Sequence, residues 1–470
     1  MSTPTVPLPS AFANVAAKAR KIGKAFASNA AGTVLGQLVQ LVAIPLQLHH
    51  LGAAQFGLLV LFNSLVAAGS LTDGGIGPTV LRFVARAHHL PRALEHVIAS
   101  SFTMILLISA TVAALAVGGT WAWVEWHGTG PVAGTVDPLL LSALLAAAVA
   151  SSMVSWLGLN TLRGLRHYGV FAMCESIQRV VLPLVCTGIA IVTHDVGAVL
   201  IALCVWTAVS AIVTLAVAVR RARVRLHVTT NLRYFRRKMF SFSRWVWAQS
   251  IFSYAGTQAD RLIVAGAMSL SALGIYAVAV SAANALSAAL TAGAAFLMPE
   301  AASRLSDRTW LAKAFMRYTL LFSAVSAGIV VAFTPVAHLA LDLWVGAPVA
   351  VQVLPILLPL LWTISNAVAS TPSGHILNAM GHSKYVAVTA AGANTFVLAA
   401  MLAGGTLYGL WGVVGAKLCA MPIGFAIRAY TARRIFGLPH PVLVALKMVW
   451  PTLAGALVIL PLSWQLLIGH

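Results

Sequence analysis

Acidic side chains are nearly missing from this chain. Its 470 residues contain ten Asp and Glu against 30 Lys and Arg. Charge of either sign makes up 9% of residues, where a soluble domain carries about 25%. Hydrophobic residues account for 60% and mean hydropathy is +0.91, so a water-soluble globular protein is excluded and an integral membrane protein is expected. Cysteine is also scarce. Cys174, Cys186, Cys204 and Cys419 all sit inside apolar runs without paired spacing, which argues against a disulfide framework or metal site and for small buried hydrophobes. No nucleotide-binding loop and no HExxH occurs, and neither a Ser-His-Asp set nor paired carboxylates can be placed.

What is abundant is the apolar run long enough to cross a bilayer, which takes about 20 residues. On that rule thirteen helices are expected, near 26–48, 56–81, 97–119, 138–160, 170–192, 196–219, 245–267, 272–299, 314–334, 350–372, 383–403, 408–430 and 442–466. A net charge of +20 suggests nucleic acid in a soluble protein, but here position argues otherwise. All but Arg179, Arg261, Lys417 and Lys447 lie at the N-terminus or in or beside alternate connections, the positive-inside pattern. The N-terminus is thus expected in the cytoplasm, and thirteen spans would place His470 outside. Trp121, Trp123, Trp126, Trp344 and Trp464 fall at outer boundaries. The basic, polar start shows no signal-peptide cleavage pattern, and the first apolar run is long enough to stay as a span.

The expected division is a cytoplasmic N-terminus 1–25, a lobe of six helices 26–219, a basic linker 220–244, a second six-helix lobe 245–434 and an additional helix in 435–470. The linker carries nine basic residues between Arg220 and Arg244 and reads as a topogenic, headgroup-binding segment. A shift of about 217 residues lays Phe56-Gly57 over Leu273-Gly274, and a shift of 218 lays Leu159-Asn160 over Leu377-Asn378. The sixth and twelfth helices both end in paired arginines, Arg220-Arg221 and Arg433-Arg434. Agreement on one offset indicates an internal repeat. Six helices per copy give both copies the same orientation, which suggests two like-oriented bundles working by alternating access about a shared cavity.

Charge within the spans is sparse enough to name. Asp73 lies in a glycine-rich, proline-ended break, Gly74-Gly75-Ile76-Gly77-Pro78, followed by Arg82 and Arg86. A broken helix exposes backbone groups that bind ions or anions; the alternative is a tight bend in which the acid caps the next helix. Glu175 and Arg179, four apart, can pair on one face, with or without a function. Asp260 and Arg261 are adjacent and point apart. Asp73, Glu175 and Asp260 are therefore candidates for coupling or gating. Arg179, Arg261 and Lys417 are candidates for a cationic patch suited to a diphosphate. Gln37 and Gln40 on the first helix, with Asn63 on the second, form a candidate polar wall, or else hydrogen-bond neighbouring helices.

The segments HLGAAQFGLLVL (50–61), LTDGGIGPTVLRFVA (71–85) and ADRLIVAGAMSLSALGIYAVA (259–279) resemble polysaccharide flippases of the multidrug/oligosaccharidyl-lipid/polysaccharide flippase superfamily. The resemblance covers about residues 20–435. It implies an all-α, V-shaped pair of six-helix bundles, plus one extra C-terminal helix here. It also implies transfer of undecaprenyl-diphosphate-linked oligosaccharide from the cytoplasmic to the outer leaflet of a bacterial inner membrane, for O-antigen or exopolysaccharide export. Intramembrane bases in that family face anionic substrate, which falls here on Arg179, Arg261 and Lys417. Expected partners are the lipid-linked substrate, membrane lipids and polysaccharide polymerase or export proteins. No cofactor is expected, with an ion gradient or membrane potential supplying the energy. A cation-coupled multidrug exporter is the alternative on the same architecture. A membrane glycan polymerase or ligase is disfavoured, because it needs a large external loop with catalytic charges.

Overall fold

A computed structural model describes residues 9–69, 75–87, 89–127, 136–229, 258–292 and 297–468, with Met239, Phe240, Ser243, Trp247, Ile251, Tyr254 and Ala294 between them. Side chains of 9–31, 119–127, 458–468 and a few single positions are not described. Asp73, Gly74, Arg233 to Lys238 and Arg244 therefore lie outside the described residues, as do the side chains of Trp121, Trp123, Trp126 and Trp464.

The described residues fold as helices. The first six are α1 (Pro9–Gly69), α2 (Ile76–Ala87), α3 (Pro91–His127), α4 (Pro138–Gly164), α5 (Tyr168–Thr193) and α6 (Val196–Ala222). Then come α7 (Ala259–Ala267), α8 (Leu270–Ala292), α9 (Leu297–Ser303), α10 (Arg308–Phe333) and α11 (Ala337–Val345). The chain ends with α12 (Ala347–Ala379), α13 (Ser383–Leu418), α14 (Ala420–Arg434) and α15 (Pro441–Ile468). Unpaired backbone groups cost several kcal/mol in lipid, so spanning chain stays helical wherever it can. The gap expected between the spans 26–48 and 56–81 accordingly shrinks to one residue, Gly52, at φ 74° and ψ 166°. The gap expected between the spans 383–403 and 408–430 likewise remains helical, the chain breaking only at Gly409 with φ 58° and ψ −138°. Glycine reaches positive φ without a Cβ penalty.

These breaks reconcile the count of spans. Among the described residues nine helical stretches are long and apolar enough to cross a membrane. Val34–Gly69 and Ser383–Arg434 each hold two of the thirteen expected spans. The seventh, 245–267, is described continuously only from residue 258 onward, and the thirteenth corresponds to the apolar helix Pro441–Leu457.

Two compact units form. The first comprises Met1–Ala43 and Gly69–Ala248, the second Ile44–Ala68 and Gln249–His470. In the first, the spacing Gly32-x-x-x-Gly36 lets α1 approach α5 closely. A Cβ on Gly32 would fall 1.8 Å from Ser176 Oγ, and one on Gly36 would fall 3.1 Å from Arg179 Cβ. Small residues at such crossings replace the hydrophobic drive that lipid removes. Gln178 on α5 then ties three helices, donating to Ser155 on α4 at 3.0 Å and to Thr214 on α6 at 2.9 Å.

In the second unit Tyr276, Val278, Leu357, Leu361 and Trp362 are buried in one apolar core. Hydroxyl pairs stitch its helices: Thr319 with Ser373 at 3.0 Å, Ser326 with Ser365 at 2.9 Å and Ser323 with Thr452 at 2.6 Å. The last pair fastens the C-terminal helix α15 to α10, and Gly455 lets α15 close on Trp362. The repeat surfaces here as a reciprocal contact. A Cβ on Gly57 would sit 1.8 Å from the carbonyl oxygen of Leu270, and one on Gly274 would sit 2.4 Å from that of Ala53. The offset of 217 maps Ala53 onto Leu270 and Gly57 onto Gly274, so the same contact is made twice, once from each copy.

Candidate functional site

Polar groups inside the second unit gather around Asp260, at the start of α7. This carboxylate is 8% exposed, and the Lys417 ammonium from α13 donates to its Oδ2 at 2.5 Å. Tyr276 on α8 donates its hydroxyl to the same oxygen at 2.8 Å, and the backbone N–H of Arg261 donates to Oδ1 at 2.9 Å. Lys417 also lies 5.5 Å from the centroid of the Tyr276 ring, within cation–π range. A buried carboxylate held by one cation and two further donors has its charge compensated and its lone pairs occupied. It offers little to an incoming cation. Arg261 points elsewhere, as adjacency requires: its guanidinium donates to Gln258 at 3.0 Å, and its Nε is buried without a partner.

A cavity of about 370 Å³ opens beside this network. Its polar wall is Gln258, Asp260, Asn284, Thr363, Asn366, Asn394 and Lys417, and its apolar wall includes Val280, Leu360, Ile364 and Met401. Carboxamides that both donate and accept, set against an apolar floor, suit a ligand rich in hydroxyl or phosphate oxygens. Asn366 also accepts from both terminal nitrogens of Arg428 on α14. Charge patterning alone places Arg428 among the cytoplasmic charges at the end of the twelfth span. The structure buries it to 3% exposure, with Nε lacking a partner. The signal that distinguishes it is position, since it lies six residues inside the end of α14 while Arg433 and Arg434 close the helix.

In the first unit Glu175 and Arg179 make the expected i,i+4 ion pair at 2.7 Å, the acid mostly covered and the base half exposed. They line a pocket of about 280 Å³ with Ser152, Ser155, Trp156, Gln178, Trp206 and Ser210. The second oxygen of Glu175 and the indole N–H of Trp206 are buried without partners. Of the three bases proposed as one cationic patch, Arg261 and Lys417 belong to the second unit and Arg179 to the first. Gln37 and Gln40 are exposed on α1, and Asn63 donates to the carbonyl of Leu59 at 3.0 Å. Asp73 lies outside the described residues; the neighbouring Gly75 has φ 74°, and its carbonyl accepts from the Thr79 hydroxyl at 2.7 Å. All four cysteines are free thiols.

Comparison with known proteins agrees with this geometry. The fold is similar to that of "Lipid II flippase MurJ, inward closed conformation", with a TM-score of 0.68 at 12% identity, covering 94% of this chain and 95% of that one. It is also similar to an inward-facing multidrug resistance MATE family transporter of the MOP superfamily, with a TM-score of 0.60 at 13% identity over 85% and 94% of the two chains. A mutant of the Vibrio cholerae MATE transporter VcmN superposes with a TM-score of 0.51 at 15% identity over 89% and 99%. No curated protein sequence matches the chain. The family model described as "Polysaccharide biosynthesis protein" matches residues 22–299, more than half of the sequence. The chain therefore belongs to the polysaccharide biosynthesis protein family.

Proposed function

We propose that this protein is a flippase for undecaprenyl-diphosphate-linked oligosaccharide. It takes repeat units from the cytoplasmic to the outer leaflet of a bacterial inner membrane by alternating access, for O-antigen or exopolysaccharide export. The observation that carries the reading is the charge state of the intramembrane polar sites. Asp260 is neutralised by Lys417 and Glu175 by Arg179, and the cavity beside Asp260 is walled by carboxamides. A cationic drug needs a bare acid, and among the described intramembrane acids neither lacks a base. A saccharide needs amides and hydroxyls, and a diphosphate needs bases that can be drawn from their partners.

In this reading Lys417 and Arg261 meet the diphosphate. Asp260, Glu175 and Asp73 serve coupling or gating, and Gln37, Gln40 and Asn63 line the path. An ion gradient or the membrane potential drives the cycle, beside the polymerase or export proteins that consume the product. Deleting the gene is expected to leave lipid-linked repeat units on the cytoplasmic leaflet while surface glycan is lost. Drug sensitivity without that accumulation would overturn the proposal. Arg261→Ala is expected to lower surface glycan at normal protein levels, and Lys417→Ala to lower it by more than its protein level falls; export at the parental rate per molecule removes that residue from the path.

A further inference from the structure

We propose that the pocket between α4, α5 and α6 of the first unit binds a single sugar ring of the transported glycan. This rests on the saccharide-transport reading above but uses a different set of residues from the cavity beside Asp260.

The chemistry of the wall selects among ligand classes. Trp156 and Trp206 supply aromatic faces, while Glu175, Arg179, Gln178 and Ser210 supply planar and hydroxyl polar groups. A lipid tail would leave those polar groups desolvated without partners. A metal or organic cation would have to displace Arg179, which Glu175 already holds at 2.7 Å. A phosphate would meet the Glu175 carboxylate in the same wall. A pyranose fits all of it, with its C–H face on an indole and its hydroxyls on the polar groups. The volume of about 280 Å³ equals roughly nine waters in the liquid, room for one ring and not for a chain.

Two atoms point the same way. Oε2 of Glu175 and Nε1 of Trp206 are buried and make no hydrogen bond, one an orphan acceptor and the other an orphan donor. Buried polar atoms in native proteins are nearly always satisfied. A hydroxyl both donates and accepts, so ring hydroxyls can satisfy the two together once these side chains rotate toward the pocket. The lateral ties from Gln178 to Ser155 and Thr214 hold the three helices in register around it. Glu175 lies seven residues beyond Tyr168, about 10 Å along α5, so the ring would be held inside the span and not at its rim.

The test uses the full-length protein in lipid nanodiscs, titrated with methyl glycosides of glucose, galactose, mannose and N-acetylglucosamine. Tryptophan fluorescence and the unfolding midpoint are read together. At least one glycoside is expected to bind and to raise the midpoint. Trp206→Phe, which removes the N–H donor and keeps an aromatic face, is expected to weaken it about tenfold, as is Glu175→Gln. Inorganic phosphate is expected not to compete. Failure of every glycoside to bind, parental affinity in both variants, or competition by phosphate would each overturn the pocket assignment. The transport reading fails by a different measurement. A deletion strain without lipid-linked accumulation sinks it, whereas export by a protein that binds no glycoside sinks only the pocket.

Discussion

At the residue scale, the scarcity of acids has a structural counterpart. Every acid whose side chain is described has an assigned partner. Asp137, Asp195 and Asp307 cap α4, α6 and α10. Glu175, Asp260 and Glu300 pair with Arg179, Lys417 and Arg304, and Glu95 and Asp342 lie against His227 and His338. Removing one member of the buried pair leaves an uncompensated charge, so Lys417→Met is expected to cost about 3–5 kcal/mol. Adding Asp260→Asn should recover most of that loss, and thermal unfolding of the two variants decides the matter. Asp307 gives a pH-dependent counterpart outside the membrane. The Thr309 hydroxyl, then the Trp310 N–H, hold its carboxyl below the ordinary carboxylate value. Its contribution is therefore present at neutral pH and is lost as pH falls through that lowered value. Asp307→Asn, which keeps a capping oxygen, is expected to flatten the acid side of the unfolding midpoint against pH.

At the element scale the glycines sort into those that admit a neighbour and those that do not. Gly57→Ala and Gly274→Ala push a methyl into the backbone of the opposing helix and are expected to lower the unfolding midpoint by similar amounts, since each makes the same contact. Gly328→Ala, in the interior of α10 with open space around it, is expected to stabilise by about 1 kcal/mol. The contrast is read in one series of midpoints. How much of this was legible follows from sequence distance. Glu175 and Arg179 are four residues apart, so helical geometry alone pairs them. Asp260 and Lys417 are 157 residues apart, and adjacency to Arg261 said only that the two side chains diverge. The equivalence of Gly57 and Gly274 was visible as an offset, but that the equivalent residues touch each other is a tertiary fact. That the Gly32–Gly36 spacing marks the α1–α5 contact is likewise a tertiary fact. The burial of Arg428 was not legible, because a base near two helix-end arginines carries no local sign of it.

At the scale of the whole molecule, apolar runs set apart spans that the structure joins through a single non-helical glycine, which is why thirteen expected crossings fall within fewer continuous helical stretches among the described residues. The all-helical membrane fold was legible because lipid constrains composition along the entire chain, whereas the polar sites rest on few residues drawn from distant helices. The reciprocal glycine contact carries a consequence for biosynthesis. Residues 44–68 belong to the second compact unit, yet the ribosome makes them about 200 residues before Leu270, and the Tyr254 hydroxyl reaches back 190 residues to the carbonyl of Ser64. The second unit is thus discontinuous in the gene and has to wait with one helix unmatched while the first is synthesised. A fragment beginning at residue 249 is expected to be degraded when expressed alone, and to accumulate when a separate segment spanning 26–69 is supplied in the same membrane. Immunoblots of the two strains would read the difference, and equal fragment levels would mean that the early helix is dispensable for assembly.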